Sequence, residues 1–187
     1  RYIFEDNNVH DNGGCGLFYC LRTTHSLCIN NRFENNHSEG ISIGERDTDH
    51  IIQGNKILGN HKHGIFFREA LRIGGDRVLI DTNIIGSNCK TEGDYEIEIP
   101  AGISDVHIYN NKFVPVKAKP VKVADPGPDV YFCCNTISGK PQAVEHISGS
   151  SNRVKMAKGE LPLLGPENLP LDGAMHIGIP KLWEWKE

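Results

Sequence analysis

Residues 31–43 read NRFENNHSEGISI, and their spacing of asparagine, apolar residue and glycine recurs along the chain. The repeated motif is Asn-x-(Val/Phe/Ile), which begins at Asn7, Asn31, Asn55, Asn83, Asn111 and Asn135. The intervals are 24, 24, 28, 28 and 24 residues. Both longer intervals have room for an insertion, at residues 69–77 and 90–95. A fixed period of this length is typical of a chain that stacks one structural repeat on the next.

Other residue types keep the same register. Three positions before each motif stand Phe4, Cys28, Ile52, Ile80, Ile108 and Phe132. A second asparagine follows five positions later, at Asn12, Asn36, Asn60 and Asn88, before that pattern lapses. Each repeat then continues with a third run of alternating residues, such as Ile41-Ser42-Ile43. Alternation with a period of two, interrupted by Asn, Gly, Asp and His, predicts three short strands per repeat.

The repeated asparagines have a structural interpretation. A single coil cannot bury its own apolar residues, so a core forms only when coils stack. Stacked strands lie about 4.8 Å apart, so equivalent residues form columns along the stack. We expect each motif asparagine to adopt a left-handed backbone conformation and to hydrogen bond to the asparagines above and below. On this interpretation the asparagines stabilise the fold and mark neither glycosylation nor catalysis.

This pattern, which runs from Tyr2 to about Ile137, resembles the parallel β-helix repeats of the pectate-lyase-like superfamily. The resemblance implies an all-β, right-handed, single-stranded parallel β-helix of about six coils with an asparagine ladder. It predicts the fold more specifically than the activity, because the superfamily includes polysaccharide lyases, glycoside hydrolases, uronan epimerases, phage tail proteins and adhesins. The resemblance also implies that the protein is secreted and is located outside the cell or at the cell surface.

Composition narrows the function classes. The chain carries 20 Lys+Arg against 24 Asp+Glu, a net charge of −4, so no basic excess indicates nucleic acid. The longest apolar runs are only a few residues, which argues against a membrane partner. The six cysteines include no CxxC pair, which argues against a zinc knuckle and leaves disulfides open.

The two ends of the chain differ from the repeats. We expect a β-helix over residues 1–153, with an incomplete first coil covered by preceding coils or by another chain, or by self-association. Residues 154–187 contain many Leu and Pro and two Trp, which is too apolar for a linker and too proline-rich for a long helix. This segment is predicted to pack on the helix or to form an interchain contact. If it packs on the helix, its favoured contact surface contains the outward Phe18 and Phe66.

One turn collects histidines and a carboxylate. By the register of the repeats, His37 lies one rung from His61, and Glu39 one rung from His63. Such a group could bind substrate or a metal, or supply a general acid–base pair, although His is also common in solvated turns. We take these four residues as candidates for substrate binding.

A second group of charges follows the third strand of the repeat, which begins with Gly-Ile at Gly40-Ile41 and Gly64-Ile65. The candidate catalytic residues are Glu45, Arg46, Asp47, Arg68 and Glu69, with Arg72 as a further substrate-binding candidate. The register places Glu45 over Glu69, and basic side chains here could neutralise a uronate carboxylate and assist proton abstraction at C5. A salt-bridged surface turn is the structural alternative.

These features give two functional hypotheses. In the first, the protein binds a polysaccharide or oligosaccharide and acts on an acidic polymer by lyase or epimerase chemistry, with glycoside hydrolysis as a third reaction class. The alternative is a non-catalytic β-helix segment for carbohydrate binding or structural assembly, as in a surface or phage-tail-like protein.

The signatures of named activities are incomplete. The Asp-Pro-His-Asp motif of mannuronan epimerases is matched only in part by residues 47–50, where His50 falls in an inward column. Neither the clustered aspartates of polygalacturonases nor the dense Asp column of a pectate-lyase calcium site is evident. The cofactor therefore stays open, with Ca²⁺ or another divalent metal as the candidate.

Overall fold

The computed structural model describes residues 2–69 and 74–156, which form a parallel β-helix of about six coils. The predicted fold class is therefore confirmed. All 20 described strands belong to three sheets that run along the axis of the stack. The only helices among the described residues are two single 3-10 turns, Val144–His146 and Ser151–Arg153. No helix in this part of the chain is long and apolar enough to cross a membrane.

The sheets take one strand from each coil. Sheet A contains β1 (Tyr2–Glu5), β4 (Thr24–Ile29), β7 (Thr48–Gln53), β10 (Val78–Asp81), β13 (Val106–Tyr109), β16 (Val130–Cys133) and β20 (Val154–Met156). Sheet B contains β2 (Asn8–His10), β5 (Arg32–Glu34), β8 (Lys56–Leu58), β11 (Ile84–Gly86), β14 (Lys112–Phe113), β17 (Thr136–Ile137) and β18 (Lys140–Pro141). Sheet C contains β3 (Leu17–Phe18), β6 (Ile41–Ile43), β9 (Ile65–Phe67), β12 (Tyr95–Ile99), β15 (Lys119–Val123) and β19 (Ile147–Gly149).

Strand pairing follows the predicted register. Phe4 pairs with Cys28, Cys28 with Ile52, and Ile52 with Ile80, all in parallel strands of sheet A. These inward residues join those of the other sheets in one continuous apolar core. The antiparallel pair β17–β18 is the exception to parallel pairing in the described strands. Because β20 pairs with β16, the coil extends to at least Met156, three residues past the predicted boundary. The rest of the predicted tail, residues 157–187, lies outside the described residues.

The motif asparagines form a hydrogen-bonded column between sheets A and B. Asn31 Nδ2 donates to Asn55 Oδ1 at 3.0 Å, and the same bond recurs at every rung from Asn7 to Asn135. The left-handed backbone conformation falls on the residue before each asparagine, including Thr82 with φ 55°, and not on the asparagine as we expected. The preceding residue makes the corner, so the asparagine side chain can turn inward while its backbone stays in the ladder.

A second column of amides runs through Asn12, Asn36, Asn60 and Asn88 and ends on the carboxyl group of Glu96. Asn88 Nδ2 donates to Glu96 Oε2 at 2.6 Å. Glu96 is fully buried, and burial raises its pKa to about 7.

The Gly-Ile motif next to the second column also has a steric reason. A Cβ on Gly40 would lie 2.5 Å from Ile57 Cγ2 and 2.7 Å from the Gly64 carbonyl oxygen of the next coil. Only glycine fits there at this coil spacing.

Candidate functional site

The histidine edge forms as the register predicts. The rings of His37 and His61 stack with their centroids 4.7 Å apart and their planes inclined by 21°. His37 is exposed and His61 is half-buried, so the pair presents ring edges to solvent.

Glu39 and His63, the other two residues of this edge, contact different residues. Ser38 Oγ and Cys15 Sγ both donate to Glu39 Oε2, at 2.6 and 3.0 Å. Burial alone would raise the pKa of Glu39, but these hydrogen bonds outweigh it and hold the pKa below its ordinary value. His63 turns to the outer face of sheet C, where its ring stacks on Phe66 at 4.9 Å.

The contacts of His63 fix its tautomer. Its Nδ1 lies 2.7 Å from the carbonyl oxygen of Tyr95, which can only accept a hydrogen bond, so Nδ1 carries a proton. The other ring nitrogen, Nε2, faces Glu98 Oε2 at 3.5 Å. Glu98 Oε1 in turn accepts a hydrogen bond from Lys122 Nζ at 2.7 Å. Glu98 and Lys122 are paired residues of neighbouring strands, and the sequence gave no signal that His63 would join them.

The turn after β6 is built around Asp47. Its buried carboxylate accepts hydrogen bonds from the backbone N–H groups of Thr23 and Gly44, at 2.9 and 3.0 Å. Arg46 adopts φ 64°, and its Nε is buried without a hydrogen-bond partner among the described residues. Glu45 is half-buried on the same turn. Of the predicted catalytic group, Asp47 therefore serves first to hold the backbone of the turn.

Arg68 lies on the outer face of sheet C. Its Nη1 donates to Ser42 Oγ at 2.7 Å, and its Nη2 donates to the Tyr19 carbonyl oxygen at 2.6 Å. The guanidinium carbon lies 3.9 Å from the centroid of the Phe18 ring, and Nη2 lies 3.6 Å from Asp47 Oδ2. Arg68 and Asp47 are thus the two predicted catalytic residues that the structure brings into contact. Glu69 is exposed next to Arg68, and Arg72 lies outside the described residues.

The segment that partly matches the epimerase motif is buried. His50 is buried, as its column predicts, and its ring stacks on Tyr19 at 4.1 Å. Its Nδ1 lies 2.8 Å from Ser26 Oγ, and the same hydroxyl lies 2.9 Å from the Tyr19 hydroxyl. Asp49 forms an ion pair with Arg77 at 2.6 Å. These side chains already stack on, hydrogen bond to or pair with other residues of the protein, so the partial motif does not form a surface site.

Comparison with known proteins places the chain in a family. A family model described as "Periplasmic copper-binding protein (NosD)" matches residues 2–132, which is more than half of the chain. The chain belongs to the NosD family. This NosD-family chain is also 32% identical over 68 residues to a mannuronan C5-epimerase of Pseudomonas putida. The match covers 36% of the chain but only 13% of that epimerase, and no solved structure matches.

The described part of this NosD-family chain does not offer a copper site of ordinary composition. Protein copper sites combine several imidazole or sulfur ligands around the ion. Over residues 2–69 and 74–156, no three His, Cys, Asp or Glu side chains come together as a metal would require. The stacked His37 and His61 supply two imidazoles, and no third such ligand joins them among the described residues. The donor set therefore does not fit the metal that the family description names.

Proposed function

We propose that this protein binds an acidic polysaccharide along the outer face of sheet C and acts on it by lyase or epimerase chemistry. The observation that carries the proposal is the outward column Phe18, Ser42, Phe66, Glu98 and Lys122, whose members stand on successive rungs. Five rungs span about 19 Å, which gives an extended polymer room to lie along the column. The similarity to a polysaccharide epimerase supports the same substrate class.

The column combines aromatic rings with fixed cations. Phe18 is 53% exposed, Phe66 is half-buried, and Lys122 Nζ lies 5.5 Å from the ring centroid of Tyr95. Aromatic faces offer sugar rings an apolar surface, and a guanidinium or ammonium group pairs with a uronate carboxylate. Arg68 provides the first of these cations and Lys122 the second, on rungs that are about 10 Å apart.

The proposed reaction begins at C5 of a uronate residue. Neutralisation of the carboxylate acidifies the C5 proton, and a neighbouring base removes it. In a lyase the electron pair then forms the C4–C5 double bond and expels the glycosidic oxygen, whereas in an epimerase a proton returns to the opposite face. We assign the base to His63, because its Nδ1 donates to the Tyr95 carbonyl, and its Nε2, which faces the Glu98 carboxylate at 3.5 Å, is the nitrogen that can accept a proton. Arg68 is assigned to the carboxylate, with Glu45, Arg46 and Glu69 as further contacts at that end.

Binding is tested by affinity electrophoresis in gels that contain polyuronate or a neutral glucan. We expect retardation in the polyuronate gel alone, and a loss of roughly ten-fold in affinity for Lys122→Met, because a charge-assisted contact contributes about 1.5 kcal/mol or more. Lys112→Met is the matched control, since Lys112 is exposed on the outer side of sheet B. Equal migration in both gels, or an equal effect of Lys112→Met, would contradict the proposed surface.

Chemistry is tested separately with the same polymers. A lyase produces an absorbing unsaturated uronate, and an epimerase in D₂O incorporates deuterium at C5, which NMR detects. His63→Gln is expected to abolish either signal while it leaves the electrophoretic affinity within a few-fold of the original protein. Turnover that survives in His63→Gln would remove His63 as the base.

The alternative function is non-catalytic binding or assembly. It is favoured by the fact that both cations already have partners: Arg68 contacts Asp47 and Ser42, and Lys122 is paired with Glu98. Specific binding to polyuronate without turnover under any condition would support this alternative over the enzyme.

A further inference from the structure

A second apolar surface lies on the outer side of sheet A. We call it the outer A face, and it consists of Leu27, Ile29, Ile51, Leu79, Tyr109 and Cys133. These residues alternate along their strands with the inward core residues, so they point away from the interior of the coil. They form a cluster of their own, separate from the core.

The burial of the outer A face is unusual for its position. Leu27, Ile51 and Leu79 are 2%, 0% and 1% exposed, although a side chain on the outer side of a coil ordinarily meets solvent. Ile3, one rung away in the same column, is 59% exposed. All 20 described strands lie in the walls of the coil, so none of them lies across this face.

A buried acceptor on the same side also lacks a partner. Gln53 Nε2 donates to Asp81 Oδ2 at 2.7 Å, but Gln53 Oε1 is buried without a hydrogen-bond partner among the described residues. A backbone N–H from a segment laid over the face would satisfy it. A segment that is complementary to the outer A face therefore has apolar side chains and also hydrogen-bond donors.

The chain itself contains such a segment. We propose that residues 157–187 dock on the outer A face and cover it. The last described strand, β20, is the terminal strand of sheet A, so the segment begins beside this sheet. Its 31 residues span on the order of 100 Å when extended, against about 19 Å for the five rungs from Leu27 to Cys133. Its apolar residues are Leu161, Leu163, Leu164, Leu169, Leu171, Trp183 and Trp185.

This assignment places the segment on a different surface from the one around Phe18 and Phe66 that the sequence favoured. Phe18, in the outward column of sheet C, is 53% exposed, whereas the outer A face is buried. Docking on sheet A would leave the outer face of sheet C open to a polymer. The two proposals are nevertheless independent, because the segment can cover sheet A whether or not sheet C binds a polysaccharide.

Tryptophan fluorescence of the full chain tests the proposal. Trp183 and Trp185 are the only two tryptophans in the sequence, so all tryptophan emission comes from the segment. We expect blue-shifted emission in the folded protein and an acrylamide quenching constant several-fold lower than after unfolding in urea. Emission of the folded protein at the unfolded wavelength, with full access to acrylamide, would overturn the proposal without any variant.

Variants then locate the docking surface. Leu79→Asp is expected to shift the emission to the red and to raise quenching several-fold, and the milder Leu79→Gln should do so in part. Ile84→Asp is the matched control, because Ile84 points outward from sheet B between Lys56 and Lys112. Far-UV circular dichroism identifies the variants that keep the coil. Folded Leu79 variants with unchanged emission would overturn the proposal.

A second copy of the chain is the competing occupant. Light scattering at a series of protein concentrations distinguishes the two. A monomer whose tryptophans stay protected upon dilution supports the intramolecular segment. A dimer whose tryptophan protection is lost upon dilution overturns it in favour of an interface between copies.

Discussion

His50 makes the stability of this protein sensitive to acid. The side chain is buried against Tyr19, and burial lowers its pKa to about 3 from an ordinary value of 6.5. Its Nε2 is buried without a hydrogen-bond partner among the described residues, so a proton there would meet no acceptor. The neighbouring Asp49 favours the charged form, but it does not offset the cost of burial.

The sign and size of the effect follow from linkage. The pKa of His50 is lower in the folded protein than in the unfolded chain. Below about pH 6.5, His50 therefore binds a proton in the unfolded chain but stays neutral in the folded protein. Each pH unit between about 6.5 and about 3 therefore removes about 1.4 kcal/mol from the free energy of unfolding. At about pH 4.5, two units below the unfolded pKa, the loss from this one residue is about 2.7 kcal/mol.

The assay compares urea unfolding of the original protein and His50→Gln, followed by circular dichroism across this pH range. Gln keeps a donor for Ser26 but does not titrate, so its curve of unfolding free energy against pH should be flatter by about 1.4 kcal/mol per unit. His37→Gln, at an exposed position, controls for the loss of a histidine as such. Parallel curves for the original protein and His50→Gln would refute the reasoning.

Three further substitutions test the fold around the site. Burial raises the pKa of Glu96 to about 7, so the stability that its protonated form contributes is lost as pH rises through 7. Compared with the original protein in urea unfolding, Glu96→Gln should be more stable by roughly 2–3 kcal/mol at about pH 8 and little changed near pH 4. Gly40→Ala forces its Cβ against the next coil and should cost roughly 1–3 kcal/mol, whereas Gly13→Ala, with nothing within 4 Å, should be nearly neutral by the same measurement. The buried Arg153 donates to the carbonyl oxygens of four residues, Pro100, Ile103, Ala124 and Pro128, so Arg153→Met should cost roughly 3 kcal/mol or more and lower the thermal midpoint, with Arg153→Lys intermediate. A change of the opposite sign in any of these measurements would show that the contact in question does not act as described.

Much of the fold could be predicted because a β-helix converts sequence spacing directly into contacts. In most of the repeats an offset of 24 or 28 residues is one rung, which is why the stacking of His37 on His61 could be anticipated. The backbone at the corner could not be predicted with the same accuracy. The left-handed conformation fell on Thr82 and Cys134 as readily as on asparagine, because stacking imposes it whatever the residue.

The sequence by itself determined which residues share a column and which of them point inward, since both follow from the period of the repeat and the alternation of a strand. Only the tertiary structure decided where long side chains reach. Arg68 folds back across Phe18 and Ser42, and His63 turns to Glu98, so that charges from different corners meet on the outer face of sheet C. The physical reason is that stacking fixes each Cα, whereas the rotamer of a flexible polar side chain depends on hydrogen-bond partners from neighbouring coils.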